Sequence, residues 1–361
     1  MANQETLGEG VKFLDLTLPK LSAAEAVEIA RREFGLSGEA RKLHSERDAN
    51  FHLRPADGGQ GHILKIANAV EEPEVIDLQT ASLRHIARMD PDLPVPRVIL
   101  SRAGDPIAWV TLDAGTRHMA RVYSFLPGQT LDKMAHPAAL LRDLGRFAAR
   151  LDKALADFSH PAAAQEIPWD ARQLPRMADH VDDIVGADRR TMVRRLIQSF
   201  AGDAMPRLER MRSQVIHNDL NLHNVLVDPA DGTRVVGVID FGDMMHGPLV
   251  FEPSIAAADI WIGKEHPVAA AAEVVGAFHA VLPLEDGEID VLFDLLLARN
   301  AMSVVICARR MIHDPANPSY LESYYEPCFA ALEQLLSLGR DRVTSAFRGA
   351  CFSESKSKIT S

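Results

Sequence analysis

Apolar and polar positions change period twice along this chain, and the changes divide it. After a polar stretch with one small apolar cluster between Val11 and Leu18, Ser22 and Glu25 stand three apart ahead of Ala26, Val27, Ile29, Ala30 and Phe34. That pattern predicts a helix opened by a capping box and stopped at Gly35. From residue 40 to 67 the period shortens to two. Arg41–His44, Phe51–Arg54 and His62–Ile66 read as three strands of a meander, the last two separated by the turn at Asp57, Gly58 and Gly59. Helical spacing returns from Glu74 to Arg88, at Val75, Leu78, Leu83, Ile86 and Ala87. Val95–Ile99, Ile107–Leu112 and His118–Phe125 read as further strands, the last two flanking a turn at Asp113 and Gly115.

Beyond Pro137 the chain is mostly helical. Leu140–Phe158 is amphipathic, Asp179–Met211 carries one or two more helices, and Ile289–Met311 is strongly apolar. Pro315–Leu338 ends the packed region, and the polar residues from 351 to 361 read as a flexible tail, as residues 1–20 do at the other end. The pattern predicts an α+β chain with a strand-rich lobe over residues 21–126 and a helical lobe over 127–350.

Composition narrows the class of function. Of 361 residues, 47% are hydrophobic and 25% charged, the balance of a globular protein. The net charge of −11, with no basic run, argues against a nucleic-acid partner. An acidic surface suits a cationic small molecule. Cys307, Cys328 and Cys351 form no pair motif, which argues against a disulfide framework or structural zinc and fits a cytoplasmic protein. The first ten residues show no basic-then-apolar leader, and no run of about 18 apolar residues predicts a membrane span.

The chemistry gathers between Gln214 and Asp243. One apolar run, Val215 and Ile216, ends in His217, Asn218 and Asp219, with Asn224 five residues on. A second, from Val235 to Ile239, ends in Asp240, Phe241, Gly242 and Asp243. Two aspartates and an asparagine at strand ends form a set of hard oxygen donors, the kind Mg²⁺ prefers. A zinc hydrolase built on His217, Asp219 and His223 would lack the helical spacing and the cysteines such sites use. No GxSxG supports a serine nucleophile.

His217-x-Asp219-x4-Asn224, followed by Asp240-Phe241-Gly242, resembles the catalytic loop and metal site of kinases. With Asn218 after the histidine, it is similar to the aminoglycoside phosphotransferase and choline kinase superfamily. The text around these motifs, with Phe158, His160, Pro161 and Trp169, resembles the hydroxylysine kinase branch. The resemblance runs from about Lys42 to Ala330. It implies a bilobal protein-kinase-like fold with an antiparallel sheet of about five strands in the small lobe. It also implies phosphoryl transfer from ATP or GTP, with Mg²⁺, to the hydroxyl of a small amino-alcohol, 5-hydroxylysine first. Homoserine, choline, ethanolamine and aminoglycosides are other acceptors of the superfamily. A non-catalytic pseudokinase is the reading from a different class, and intact Lys65, Asp219, Asn224 and Asp240 argue against it.

Carried over residue by residue, the resemblance makes Asp219 the catalytic base, and Asn224 and Asp240 the metal ligands. Lys65 becomes the lysine on the α- and β-phosphates, partnered by Asp77 of the helix that follows, with Glu74 in reserve. Ser45 and Asn50, in a loop without a GxGxxG, are expected over the phosphates, and Phe125 and Leu126 at the hinge against the purine. His217 braces the loop, and Asp243 supports the metal or faces the acceptor. The short segment between Gly247 and Phe251 leaves no room for a peptide platform, which argues for a small acceptor. Glu252, and less directly Asp259, are expected to meet its ammonium group.

Overall fold

Ser22 opens the first helix through reciprocal bonds: its Oγ accepts from the Glu25 N–H at 3.2 Å, and the Glu25 carboxylate accepts from the Ser22 N–H at 2.8 Å. Helix α1 (Ala23–Ile29) widens into a π-helical turn through Phe34 and stops at Gly35, whose φ of 72° suits glycine. The computed structural model describes residues 18–352 except 46, 113–114 and 314–317, together with two paired strands, Thr6–Leu7 and Val11–Lys12. Residues 1–5, 8–10 and 13–17 of the expected N-terminal arm, the turn residue Asp113 and residues 353–361 lie outside the described residues.

Among the described residues six strands form the small-lobe sheet: β1 (Glu39–Leu43), β2 (Ala49–Arg54), β3 (His62–Ile66), β4 (Val98–Ile99), β5 (Ala108–Thr111) and β6 (Arg117–Ser124). All pair antiparallel in the order β1-β2-β3-β6-β4, with β5 also on β6. Register then decides which residues share a face, because strand side chains alternate. Phe51, Leu64 and Val122 are directly opposed and pack with Ala26, Ile29 and Phe34 of α1. Their neighbours Asn50, Lys65 and Arg121 are likewise opposed and turn to the other face. Helix α2 (Pro73–Met89) lies on that other face, where Ile76 meets Ala67 and Met119, while Leu78, Leu83 and Ile86 join the large-lobe core.

The large lobe begins with β7 (Gln129–Thr130) and α3 (Ala138–Leu155). Residues Ala171–Asp183, expected to be partly helical, wind in 3₁₀ turns around Pro175, which has no N–H to donate. After α4 (Ala187–Ser199) come β8 (Ser213–Ile216), β9 (Val225–Val227), β10 (Val235–Val238) and β11 (Met245–Pro248). β9 lies between β10 and β7, and β8 pairs with β11. Helices α5 (Phe251–Trp261), α6 (Pro267–Val281), α7 (Asp286–His313), α8 (Pro318–Leu338) and α9 (Arg340–Phe352) complete the lobe. By length and composition α7 could cross a membrane, but 94% of its most apolar window is covered by protein. The packed region does not end at Leu338. Val343, Phe347 and Cys351 of α9 are buried, so the expected tail begins no earlier than residue 353.

Helices α3 and α6 approach closely at Gly145 of α3. A Cβ there would stand 2.2 Å from the Val274 carbonyl oxygen and 3.0 Å from Ala277 Cβ on α6. Alanine is worth about 1 kcal/mol more than glycine inside a helix, but a contact this short forces the helices apart, at about 1–3 kcal/mol. Gly145→Ala should therefore lower the urea midpoint. An unchanged or higher midpoint would show that α3 and α6 can separate freely.

Candidate active site

Two strand ends meet where β8 and β10 stop, and both exits take a left-handed turn. Asn218 and Asp240, each at φ 63°, are the non-glycine residues with positive φ among the described residues. Such turns are uncommon outside glycine and persist where surrounding contacts hold them. Here the Asn218 N–H donates to Glu252 Oε2 at 3.0 Å, from a glutamate with no exposed surface. The Ile239 N–H donates to the Asn224 carbonyl at 2.9 Å and ties the second exit to the first. His217, fully buried, stands edge-on to Phe241 with centroids 4.6 Å apart, and its Nδ1 accepts from the Asp219 N–H. Burial pushes the His217 pKa down to about 4, so the ring is neutral at pH 7.

The loop residues form one hydrogen-bonded unit. Asn224 Nδ2 donates to Asp219 Oδ2 at 2.6 Å and Asn221 Nδ2 donates to Asp219 Oδ1 at 2.7 Å. Asn221 Oδ1 accepts from the N–H groups of His223 and Asn224. With its amide nitrogen committed to Asp219, Asn224 has its side-chain oxygen left to offer a cation. Burial first, then the neighbouring Asp243 and Asp240 charges, raise the Asp219 pKa well above the carboxylate range, against the opposing pull of Arg299. Asp240 behaves oppositely: Lys65 first, and Arg47 with it, lower its pKa against burial. An ionised Asp240 and the Asn224 oxygen form a two-donor oxygen set of the sort Mg²⁺ takes when phosphates and water complete its shell.

Lys65 stands 3.9 Å from Asp240 and 3.8 Å from Asp48. Its expected helix partner is elsewhere. Asp77 points away from the sheet, half exposed, with its Oδ2 3.2 Å from His160 Nε2, and Glu74 is exposed. The polar α2 residue that lines the cleft is Gln79, beside Ile76 and Leu83 and about 200° further round the helix than Asp77. The lysine's acid comes instead from the loop between β1 and β2. Asp48 is held by Arg121, whose Nη2 donates to Asp48 Oδ2 at 2.8 Å and to Gln79 Oε1 at 3.0 Å. Sequence reading missed both Asp48 and Arg121. The signal was present in the register, since Arg121 is the cross-strand partner of Lys65.

The other expected nucleotide residues line the same cleft. Ser45 Oγ accepts from the Asp48 N–H, while Asn50 Oδ1 is buried without a partner. Phe125 stacks on His52 with centroids 4.0 Å apart, and Leu126 lies beside Gly237. Arg47, in the loop between β1 and β2, reaches across to Asp243 at 2.9 Å.

The cleft has a volume of about 670 Å³ and runs from this loop to α7, a size that suits a nucleotide and a small second ligand. On the α7 side stand Trp169, Asp259, Arg299, Arg310 and Tyr324. Glu252, expected to meet an acceptor, does not join them: it is fully buried beneath the loop that begins at His217 and lies outside the cleft lining. Cys307 and Cys328, far apart in the chain, both reach this wall, and burial raises their thiols to about 11 and 12. Among the described residues no three His, Cys, Asp or Glu side chains are grouped to hold a metal.

Comparison with known proteins agrees with this geometry. The family model described as "Phosphotransferase enzyme family" matches residues 39–290. Hydroxylysine kinase of Danio rerio is 30% identical over 338 residues, covering 90% of this chain and 94% of the relative. Homoserine kinase of Methylobacillus flagellatus is 27% identical over 286 residues, 75% of this chain and 81% of that one. Among solved structures, the microcompartment-associated aminopropanol kinase superposes with a TM-score of 0.69 at 22% identity, covering 88% of this chain and 98% of that one, and shares the bilobal fold. The chain belongs to the phosphotransferase enzyme family, and it is a small-molecule kinase that transfers a phosphoryl group to an alcohol acceptor.

Proposed function

We propose that the chain transfers the terminal phosphoryl group of ATP or GTP to the hydroxyl of a small amino-alcohol, 5-hydroxylysine first and homoserine second. The observation that carries this reading is convergence: Asp219 and Asn224 from one strand end, Asp240 from another and Lys65 from the opposite lobe surround one cleft. Similarity to hydroxylysine kinases over most of both chains supports the first acceptor, and similarity to a homoserine kinase the second.

In this reading Asp219 takes the hydroxyl proton as the oxygen bonds to phosphorus. Its raised basicity suits that role, and Asn221 and Asn224 hold its two oxygens in a fixed direction. Lys65, braced by Asp48, steadies the nucleotide phosphates, with Ser45, Asn50 and Arg47 arriving from the strand and loop above them. The hinge at Phe125 and Leu126 offers backbone groups to the purine. Magnesium held by the Asn224 and Asp240 oxygens would neutralise charge on the transferring phosphate. Glu252 acts through the loop it supports, as a positioning residue, and Asp243 joins the lobes through Arg47.

A coupled assay with ATP and GTP against hydroxylysine, homoserine, choline, ethanolamine and kanamycin tests the activity. One acceptor should turn over, and Asp219→Asn should lower kcat by about 10²–10⁴-fold. Nucleotide binding without turnover on any of the five would favour a pseudokinase.

The lysine's partner is tested by contrast. Asp48→Asn should reduce kcat/KM for nucleotide by about 10-fold or more, the scale of a lost charge-assisted contact, whereas Asp77→Asn should change it less than about twofold. The reverse order would return the pairing to the helix.

Glu252 carries a pH signature. Burial pushes its carboxyl up to about 7, so between about pH 4.5 and 7 the folded chain holds a proton that the unfolded chain has released. That contribution to stability is full at low pH and is lost as pH rises through about 7. Glu252→Gln keeps an acceptor for the Asn218 N–H without ionising. Its stability relative to the unmodified protein should therefore grow from pH 5 to pH 8, measured by urea midpoints. A difference that does not vary with pH would refute the buried-carboxyl assignment.

A further inference from the structure

The α7 wall of the cleft carries a cation to which the phosphotransfer reading gives no role. The Arg299 guanidinium lies over the Trp169 ring, 4.6 Å from its centroid, and one terminal nitrogen is 3.6 Å from Asp219 Oδ1. The side chain is 11% exposed, and its Nε and Nη1 have no hydrogen-bond partner. Buried donors left unspent cost free energy. A planar guanidinium fixed by an aromatic face is the group that a carboxylate satisfies. Ser303, Cys307 and Arg310 follow at intervals of four, four and three residues, so the same helix face lines the chamber. Facing into the same chamber from α5 is Asp259, 6% exposed, with Oδ2 3.4 Å from the Leu222 N–H. The chamber thus presents a buried cation and a buried carboxylate beside the catalytic aspartate.

We propose that this chamber recognises the acceptor as a zwitterion, with Arg299 binding a carboxylate and Asp259 an ammonium group. The acceptor class is then a hydroxylated α-amino acid, and amino alcohols without a carboxylate are poor substrates. The inference rests on the phosphotransfer reading above and narrows it. It also gives the carboxylate contact to Arg299 of α7, which the sequence motifs did not single out, and of the two α5 acids expected to meet the ammonium it keeps Asp259 rather than Glu252. A carboxylate on Arg299 would supply the partner that its two unspent nitrogens lack, and it would offset the extra positive charge that an ammonium brings to Asp259.

Matched acceptor pairs test it. Homoserine is compared with 3-amino-1-propanol, and 5-hydroxylysine with 1,5-diaminopentan-2-ol, each pair differing by the carboxylate alone. Steady-state rates are measured with Mg²⁺ and nucleotide, and calorimetric binding with a non-hydrolysable nucleotide analogue. At least one pair should favour the carboxylated member by about 10–100-fold in kcat/KM. Arg299→Gln should collapse that ratio towards one, mainly through KM, and Arg299→Lys should restore part of it. Circular dichroism checks that each variant folds. A preference that survives Arg299→Gln overturns the assignment. Equal losses for both members also overturn it, and would leave Arg299 as a counter-ion of Asp219. Turnover of the carboxylate-free members alone overturns the acceptor class while the phosphotransfer reading stands. If neither member of either pair binds or reacts, the inference fails, and turnover of choline, ethanolamine or kanamycin then decides the broader reading separately.

Discussion

The arrangement of this site depends on two left-handed residues held by buried hydrogen bonds. Asn218 and Asp240 reverse the chain direction as β8 and β10 run out, and each reversal aims a carboxylate into the cleft. Without outside support these conformations are unfavourable for residues with a Cβ. Glu252 holds the first from below and the Asn224 carbonyl holds the second from the side. Because Asn224 also binds Asp219, the turn that presents one acid is coupled to the turn that presents the other.

This coupling explains how carboxylates in one cleft take different ionisation tendencies. Asp240 lies against Lys65 and is held in its charged form. Asp219 is more enclosed and feels Asp240 and Asp243 as neighbouring negative charges, so its affinity for a proton rises. Separate environments thus give two nearby acids opposite proton affinities within one cleft. The cationic side is equally ordered. Lys65 and Arg121 are cross-strand neighbours that share Asp48, so the sheet register sets their spacing.

Much of the site could be read from the chain because strands and short loops link neighbours in sequence to neighbours in space. His217, Asp219 and Asn224 share one loop, and Asp240 follows one hairpin later, so their grouping required only local geometry. Lys65 was placed by the resemblance, since the alternation of its strand by itself fits a surface-facing lysine equally well. The helix acid failed because helical position is an angle. Asp77 and Gln79 differ by two residues, yet Gln79 faces Arg121 while Asp77 meets His160, and the motif did not specify how α2 rotates on the sheet. Glu252 was misplaced for a similar reason: its charge suggested a ligand, but packing buries it behind the loop, where it accepts from the Asn218 N–H.

The sequence by itself determined the class of protein, its strand-rich and helical lobes and the grouping of His217, Asp219, Asn224 and Asp240, because period, turn chemistry and motif spacing are local properties. Tertiary structure alone decided which acid braces Lys65, that Arg47 spans the lobes to Asp243, and that Arg299 stacks on Trp169 beside Asp219. Each of those contacts joins residues that are distant in the chain or whose direction depends on how a helix is rotated. Packing settles such directions through the buried face each helix presents, and no local pattern records that choice.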